Sequence, residues 1–169
     1  MPTLGVSKQI LLSLLCASAM AVATPYSKPV PGPFHGFVVG IIDGDTVKVL
    51  NRSRYHMIRL AYIDAPELDQ KHGPESMRCL QRLIYRKTVF VRPLYYDRYE
   101  RLVAQIDIEK VNANILMVKL GCAWHLYRYS QSDLWQDYHN EAKAAKKGLW
   151  KDHRPIKPST YRRRHSRYY

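Results

Sequence analysis

Apolar and polar residues alternate with a period of two over several short stretches, a pattern that predicts β-strands. A continuous apolar run around Gly40 predicts a buried strand, and the Asp-Gly pair that follows indicates a turn. The later runs are rich in the β-branched and aromatic residues that strands favour. The five predicted strands cover residues 37–42, 46–50, 55–63, 88–95 and 102–108.

A helical period predicts three helices between and after these strands. The first covers about residues 74–86, where Pro74 suits the first helical position and Glu75 complements the helix dipole. The second and third cover about residues 111–120 and 133–147, and a glycine follows each of them. Strands with inserted helices predict an α+β domain, and five strands that close on themselves predict a barrel of the OB-fold type.

The first 23 residues have the layout of a secretory signal peptide. A single basic residue, Lys8, precedes an apolar run over residues 10–23 that ends in small side chains. A short anchor or a buried helix is the alternative, but the run is shorter than the ~20 residues of a membrane span. We therefore expect cleavage after Ala23, with Ala19 as the alternative. We also expect a secreted or periplasmic protein and no stable membrane association afterwards.

The remaining chain divides into three parts. Proline-rich residues 24–36 predict an extended linker, and residues 37–150 predict the folded domain. Residues 151–169 mix basic and aromatic side chains without an apolar period, which predicts a disordered tail that contacts nucleic acid weakly, or a solvated tail without a role. Cys79 and Cys122 are compatible with a disulfide in an oxidising compartment and equally with two buried thiols.

The net charge of the chain indicates which class of partner it binds. The 169 residues include 27 Lys and Arg against 14 Asp and Glu, a formal net charge of +13. Such an excess indicates an anionic partner, with nucleic acid as the leading candidate. An apolar content of 46% excludes a wholly disordered chain, and three cysteines exclude a disulfide-dense mini-protein.

Two predicted turns contain acidic residues that an antiparallel sheet can bring together. These residues are Asp43, Asp45, Asp64 and Glu67. Crowded carboxylates repel one another unless a cation lies among them, and oxygen ligands suit Ca²⁺. Arg59 and Arg101 lie on or beside predicted strands, where a guanidinium can bind a phosphate or form a salt bridge to the acids. Taken singly, each aspartate is explained as a turn residue; together, the acids and arginines indicate a phosphodiesterase.

Five short motifs follow one another along the chain. They are Asp43-Gly44-Asp45-Thr46-Val47, Arg59-x-x-x-x-Asp64-Ala65-Pro66-Glu67, Gly73-Pro74-Glu75, Asp97-Arg98-Tyr99-x-Arg101 and Glu141-x-x-Ala144-x-x-x-x-x-Trp150. In order and rough spacing they resemble the staphylococcal nuclease (thermonuclease) family over about residues 37–150. The resemblance implies a five-stranded OB-type barrel with three helices. It also implies Ca²⁺-dependent cleavage of DNA and RNA with little sequence preference, on the 5′ side of the phosphate, leaving 3′-phosphate ends.

The resemblance further implies a metal site. By motif position, Asp45 and Asp64 would bind Ca²⁺, with the backbone carbonyl of Ala65 as a third ligand. Asp43 would support these ligands without binding the metal itself.

The same resemblance implies the groups that act on the substrate. Glu67 would orient or deprotonate the attacking water. Arg59 and Arg101 would bind the phosphate and stabilise the charge of the transition state. Substrate contacts nearby would come from Tyr99, Tyr127 and Tyr129.

The sequence departs from the family pattern at two places. Residues 68–72 form a shorter loop than the one that helps to hold the glutamate in the family. Glu100 stands where glycine is frequent and can pair with Arg101.

A noncatalytic nucleic-acid-binding module on the same barrel is the main alternative function, although such relatives lose the acids or arginines that are present here. A protein that binds anionic polysaccharide would explain the charge but not the acids. We expect a monomer.

Overall fold

The computed structural model describes residues 28–165, so the predicted signal peptide, the start of the predicted linker and the last four residues lie outside the described part. The strands are β1 (Phe34–Ile41), β2 (Thr46–Asn51), β3 (Arg54–Leu60), β4 (Ile63–Asp64), β5 (Thr88–Tyr96), β6 (Leu102–Ile108), β7 (Val111–Asn112) and β8 (Trp124–His125). The helices are α1 (Gly73–Ile84), α2 (Ala113–Lys119), α3 (Tyr127–Ser130), α4 (Asp133–Ala144) and α5 (Pro158–His165), with a 3₁₀ turn at Gly148–Lys151.

Five of the strands close into a barrel. β1 pairs with β2 and β5 in antiparallel fashion, β2 pairs with β3, and β5 pairs with β6. Parallel pairing of β3 with β6 closes the circle and places Arg59 opposite Val103. Alternate side chains, among them Val38, Val47 and Ile106, fill the interior and are fully buried. The predicted α+β class and five-stranded OB-type barrel are therefore confirmed.

Most predicted strands and helices are present, but their first or last residues differ from the prediction. The strand predicted over residues 55–63 stops at Leu60, because Tyr62 adopts a left-handed backbone with φ of 67°, and β4 then pairs with β8 instead. The second helix was expected from residue 111, but β7 pairs with β6 there. The helix begins after Asn112, whose side chain accepts a hydrogen bond from the amide of Ile115 at 2.9 Å.

The expectation of a disordered C-terminal tail is wrong for residues 158–165, which form α5. Pro158 occupies the first helical position and is buried. The arginines that follow it have good intrinsic helix propensity, and contacts with the body of the protein hold the helix in place. Within residues 28–165, no helix is long and apolar enough to cross a membrane.

A fully buried asparagine joins α2 to the barrel. The Asn114 carbonyl oxygen accepts a hydrogen bond from the Ile106 amide at 3.1 Å. Its amide nitrogen donates to the carbonyl oxygens of Ala61 at 3.0 Å and Ala104 at 3.2 Å. One side chain therefore satisfies three buried backbone groups at the point where β3 ends beside β6.

Replacing this side chain should destabilise the fold strongly. We expect Asn114→Ala to lower the free energy of unfolding by about 2–4 kcal/mol, because buried polar groups lose their partners. Urea denaturation followed by circular dichroism measures this change. The exposed Asn140→Ala on α4 is the control and should stay within about 0.5 kcal/mol of the wild type. A loss below about 1 kcal/mol for Asn114→Ala would contradict this role.

A second apolar cluster lies outside the barrel, where α4 packs on β8 and the 3₁₀ turn. The His139 ring stands edge-on to Trp150, with 4.8 Å between the ring centroids. Its Nδ1 accepts a hydrogen bond from the amide of His125 at 3.2 Å. Burial, assisted by the nearby His125, Lys143 and Lys157, lowers the pKa of His139 to about 4. The ring is therefore neutral in the folded protein at neutral pH.

This depressed pKa predicts a pH-dependent stability. Between the ordinary pKa of 6.5 and the folded value of about 4, the unfolded chain binds more protons at residue 139 than the folded chain does. Stability should therefore fall as the pH falls through this window. From pH 7 to pH 5, wild type should lose about 1–2 kcal/mol more than His139→Gln in urea denaturation. Parallel losses in the two proteins would exclude this contribution.

Candidate active site

Gly44 allows the β1–β2 loop to approach α1 closely. A Cβ atom at this position would lie 1.9 Å from Ser76 Oγ and 2.7 Å from the Cβ atom of Ala65. Glycine is therefore required for the loop to pack here. The close approach places the carboxylate of Asp45 against the chain segment that follows β4.

The two aspartates expected to bind a metal lie side by side and are buried. Asp45 Oδ2 accepts a hydrogen bond from the Ala65 amide at 2.7 Å, and its Oδ1 accepts one from Thr46 Oγ1 at 3.1 Å. Arg59 Nη2 lies 3.0 Å from Asp45 Oδ2 and 3.2 Å from Asp64 Oδ1. Because one nitrogen contacts both carboxylates, Asp45 and Asp64 face the same small space.

Arg59 is held from two directions. Its position in β3, opposite Thr46 in β2, aims the side chain at the β1–β2 loop. Its Nη1 donates to the carbonyl oxygen of Leu60 at 2.7 Å, while Nη2 contacts the two aspartates. The Arg59 side chain is only 15% exposed. It therefore compensates buried negative charge in a nearly fixed orientation.

The acidic side chains remain short of compensating charge. Burial, followed by the charge of Asp45, raises the pKa of Asp43 to about 6, and Asp43 Oδ1 accepts a hydrogen bond from the Asp45 amide at 2.8 Å. Burial also raises the pKa of Asp64, although Arg162 and Arg59 oppose this shift. A cation at this place would offset the free-energy cost of keeping these buried acids ionised.

The short loop over residues 68–72 still holds Glu67 in a defined place. The Glu67 amide donates to Gln70 Oε1 at 3.2 Å, and the Glu67 carbonyl oxygen accepts from the Gln70 amide at 2.9 Å. A Cβ atom at Gly73 would lie 1.8 Å from the Glu67 carbonyl oxygen, so the loop closes tightly on the start of α1. Gln70, which is only 5% exposed, was not foreseen from the sequence.

Arg162, in α5, also enters this site and was not foreseen. Its Nη1 lies 3.2 Å from Asp64 Oδ1 and 2.5 Å from Glu67 Oε1, and its Nη2 lies 3.2 Å from Asp64 Oδ2. Although burial opposes it, hydrogen bonding to Glu67 and Asp64 raises the pKa of Arg162. The only sequence signal was an arginine run in a tail, which does not indicate a contact almost a hundred residues away.

Arg101 pairs with a carboxylate that is not one of the four in the predicted acidic cluster. Its Nε and Nη2 each lie 2.8 Å from Asp97 Oδ2, so the partner is Asp97 and not Glu100, as the sequence had suggested. Although burial opposes it, hydrogen bonds from Arg101 and Tyr99 lower the pKa of Asp97. Glu100 itself has a left-handed backbone with φ of 60°, a conformation that glycine adopts most readily.

The three predicted substrate-binding tyrosines are exposed. Tyr99 packs against Arg101, with 5.4 Å between the guanidinium carbon and the ring centroid. Tyr127 and Tyr129 lie in α3, directly after β8, and β8 pairs with β4 beside Asp64. Their exposed fractions are 63%, 46% and 62% in chain order. Exposed rings of this kind are available for stacking on a base.

Comparison with known proteins identifies the family of this barrel and site. The model of the family described as staphylococcal nuclease homologue matches residues 57–152. An uncharacterized endonuclease of Haemophilus influenzae is 41% identical over 127 residues, which are 75% of this chain and 71% of that protein. A micrococcal nuclease of Shigella flexneri is 35% identical over 165 residues, covering 90% of this chain and 94% of the relative. The chain belongs to the staphylococcal nuclease family.

The donor set of this staphylococcal nuclease homologue suits a hard cation. Across residues 28–165, no three His, Cys, Asp or Glu side chains converge into a metal site. A cation between Asp45 and Asp64 would therefore also need carbonyl or water oxygens, and the backbone carbonyl of Ala65 is the expected one. Carboxylate, carbonyl and water oxygens together are the ligands that Ca²⁺ takes in proteins.

Proposed function

We propose that this protein is a calcium-dependent endonuclease that hydrolyses phosphodiester bonds of DNA and RNA with little sequence preference. The observation that carries the proposal is the buried cluster of Asp45, Arg59 and Asp64 with Glu67 beside it. Membership of the staphylococcal nuclease family and relatives named endonuclease and micrococcal nuclease support the nuclease activity. The net charge of +13 supports a polyanionic substrate.

In this proposal, the buried carboxylates have one role and the arginines another. Asp45 and Asp64, with the Ala65 carbonyl, would hold Ca²⁺, which when bound supplies positive charge beside the phosphoryl oxygens. Arg59 can exchange its carboxylate partners for phosphate oxygens, because a guanidinium binds both kinds of group through paired hydrogen bonds. Fixed positive charge of this kind stabilises the transition state more than the substrate.

The bond changes follow from attack by water. The water oxygen forms a bond to phosphorus while the bond between phosphorus and the 5′ oxygen breaks. Glu67 accepts the proton that the water loses. The leaving oxygen, stabilised by Arg101, takes up a proton from solvent and becomes a 5′-hydroxyl group. The other product carries a 3′-phosphate. A single chain supplies all these groups, so we propose a monomer.

Mutation of Glu67 tests this function. With Ca²⁺ present, wild type should cleave single-stranded DNA, duplex DNA and RNA, and a chelator should abolish cleavage. Glu67→Gln keeps the size of the side chain but cannot accept the proton, so we expect a rate about 10²–10³-fold lower. Glu75→Gln, an exposed glutamate paired with Arg78 on α1, is the control and should cleave like wild type. End-group analysis of the products should find 3′-phosphates.

Two results would contradict the proposal. Binding of DNA without cleavage under every condition would favour the alternative, a noncatalytic nucleic-acid-binding module on the same barrel. Products with 5′-phosphate ends would instead contradict the direction of bond cleavage while leaving the nuclease activity in place.

We also propose that the protein is secreted or periplasmic after removal of residues 1–23. The signal-like pattern of this segment supports export. A disulfide joins Cys79 in α1 to Cys122, which follows α2, and structural disulfides are rare in reducing compartments. The sequence separation of 43 between these cysteines makes the bond a substantial constraint on the unfolded state.

Export and disulfide formation can be measured together. Expressed with its leader in a bacterium, the protein should be recovered outside the cytoplasm with Thr24 as its first residue and without reactive thiols. Cys79→Ser/Cys122→Ser should have a free energy of unfolding about 2–4 kcal/mol lower. Full-length protein in the cytoplasm with the thiols of Cys79 and Cys122 reactive would exclude the proposed location.

A further inference from the structure

The C-terminal arm, defined here as residues 152–165, crosses the loop that positions Glu67. Lys71 Nζ lies 2.7 Å from Asp152 Oδ2 at the start of the arm. Gln70 Nε2 donates to the carbonyl oxygen of Ile156 at 2.6 Å, and Tyr161 Oη donates to the carbonyl oxygen of Asp69 at 3.2 Å. These contacts fix the course of the arm from the 3₁₀ turn to the acidic cluster.

Arg162 is the point at which the arm meets the acidic cluster. Its guanidinium contacts both carboxylate oxygens of Asp64 and one oxygen of Glu67. Asp64 Oδ1 already accepts a hydrogen bond from Arg59. The Asp64 oxygens that would bind a cation are therefore already hydrogen-bonded to two guanidinium groups.

A divalent cation and the Arg162 guanidinium cannot both occupy this position. Both are positively charged, and both need the same oxygens of Asp64. Like charges at contact distance repel strongly where water is partly excluded. The guanidinium also spans the gap between Asp64 and Glu67, where the attacking water must stand in the proposed reaction.

We propose that Arg162 competes with the divalent cation for Asp64 and that the C-terminal arm holds the site in a closed, cation-free state. The inference rests on the proposed cation site but goes beyond it, because it assigns a regulatory function to the arm. The apparent affinity for the cation is then reduced by the fraction of molecules in which the arm is closed. Cation binding displaces Arg162 and opens Glu67 to water and substrate.

The contacts of the arm are suited to such an exchange. The Arg162 side chain is 49% exposed although its partner Asp64 is only 5% exposed, so water reaches the guanidinium and can solvate it when it leaves the carboxylate. Of the α5 residues, Pro158 is buried, whereas the others are exposed or half-buried. The closed state is therefore only modestly favoured, and a cation at ordinary concentrations can reverse it.

Calorimetric titration with CaCl₂ tests the competition directly. We expect Arg162→Ala to bind Ca²⁺ about tenfold more tightly than wild type, since the closed state is lost. Arg164→Ala is the matched control: it removes the same charge from an exposed position two residues along α5, and its affinity should stay within about twofold of wild type. Saturating Ca²⁺ should also raise amide hydrogen exchange in residues 158–165 of wild type.

Each other outcome overturns the inference in a recognisable way. Equal Ca²⁺ affinities for Arg162→Ala and Arg164→Ala would show that Arg162 does not compete, while leaving the cation site intact. Weaker binding or unchanged binding with lost cleavage in Arg162→Ala would make Arg162 a contact to cation or substrate instead. No Ca²⁺ binding by any variant would remove the proposed cation site itself, and the competition with it.

Discussion

Negative charge in a buried place is the constraint on which the site depends. Asp45 and Asp64 are only 6% and 4% exposed, and an uncompensated carboxylate at such a depth is very costly. The compensation comes from four different parts of the chain: the Thr46 hydroxyl in β2, Arg59 in β3, the Ala65 amide after β4, and Arg162 in α5. One electrostatic requirement therefore ties barrel, loop and C-terminal arm together.

The barrel was predictable because the pattern that marks each strand lies within the residues of that strand. Each strand is marked by its own alternation and each turn by its own Asp-Gly or charged pair, so the elements could be read one at a time. The break after Leu60 could not be read in this way. The predicted strand ran on to Ile63, and neither the left-handed backbone of Tyr62 nor the pairing of β4 with the distant strand β8 has a signal in the local pattern.

The candidate site was predictable to the extent that its residues lie in short motifs. Asp45, Arg59 and Asp64 come together as the two turns meet, whereas Arg101 points to Asp97 in the same turn. Gln70 and Arg162 carried no readable signal. A glutamine in a short loop and an arginine in a basic tail are both ordinary surface residues, and their partners are 86 and 98 residues away. Sequence patterns report periodicity along the chain, not contacts at such separations.

Closure of the barrel has a consequence for the behaviour of the protein at high concentration. Each of the five barrel strands, from β1 to β3 and then β5 and β6, has a hydrogen-bonded neighbour on both sides. An unpaired strand edge is the template on which a second chain can add and start an ordered aggregate. Because the end of β3 pairs with the start of β6, the described part of the chain closes the barrel at this seam, and a second chain finds no open strand edge there on which to add.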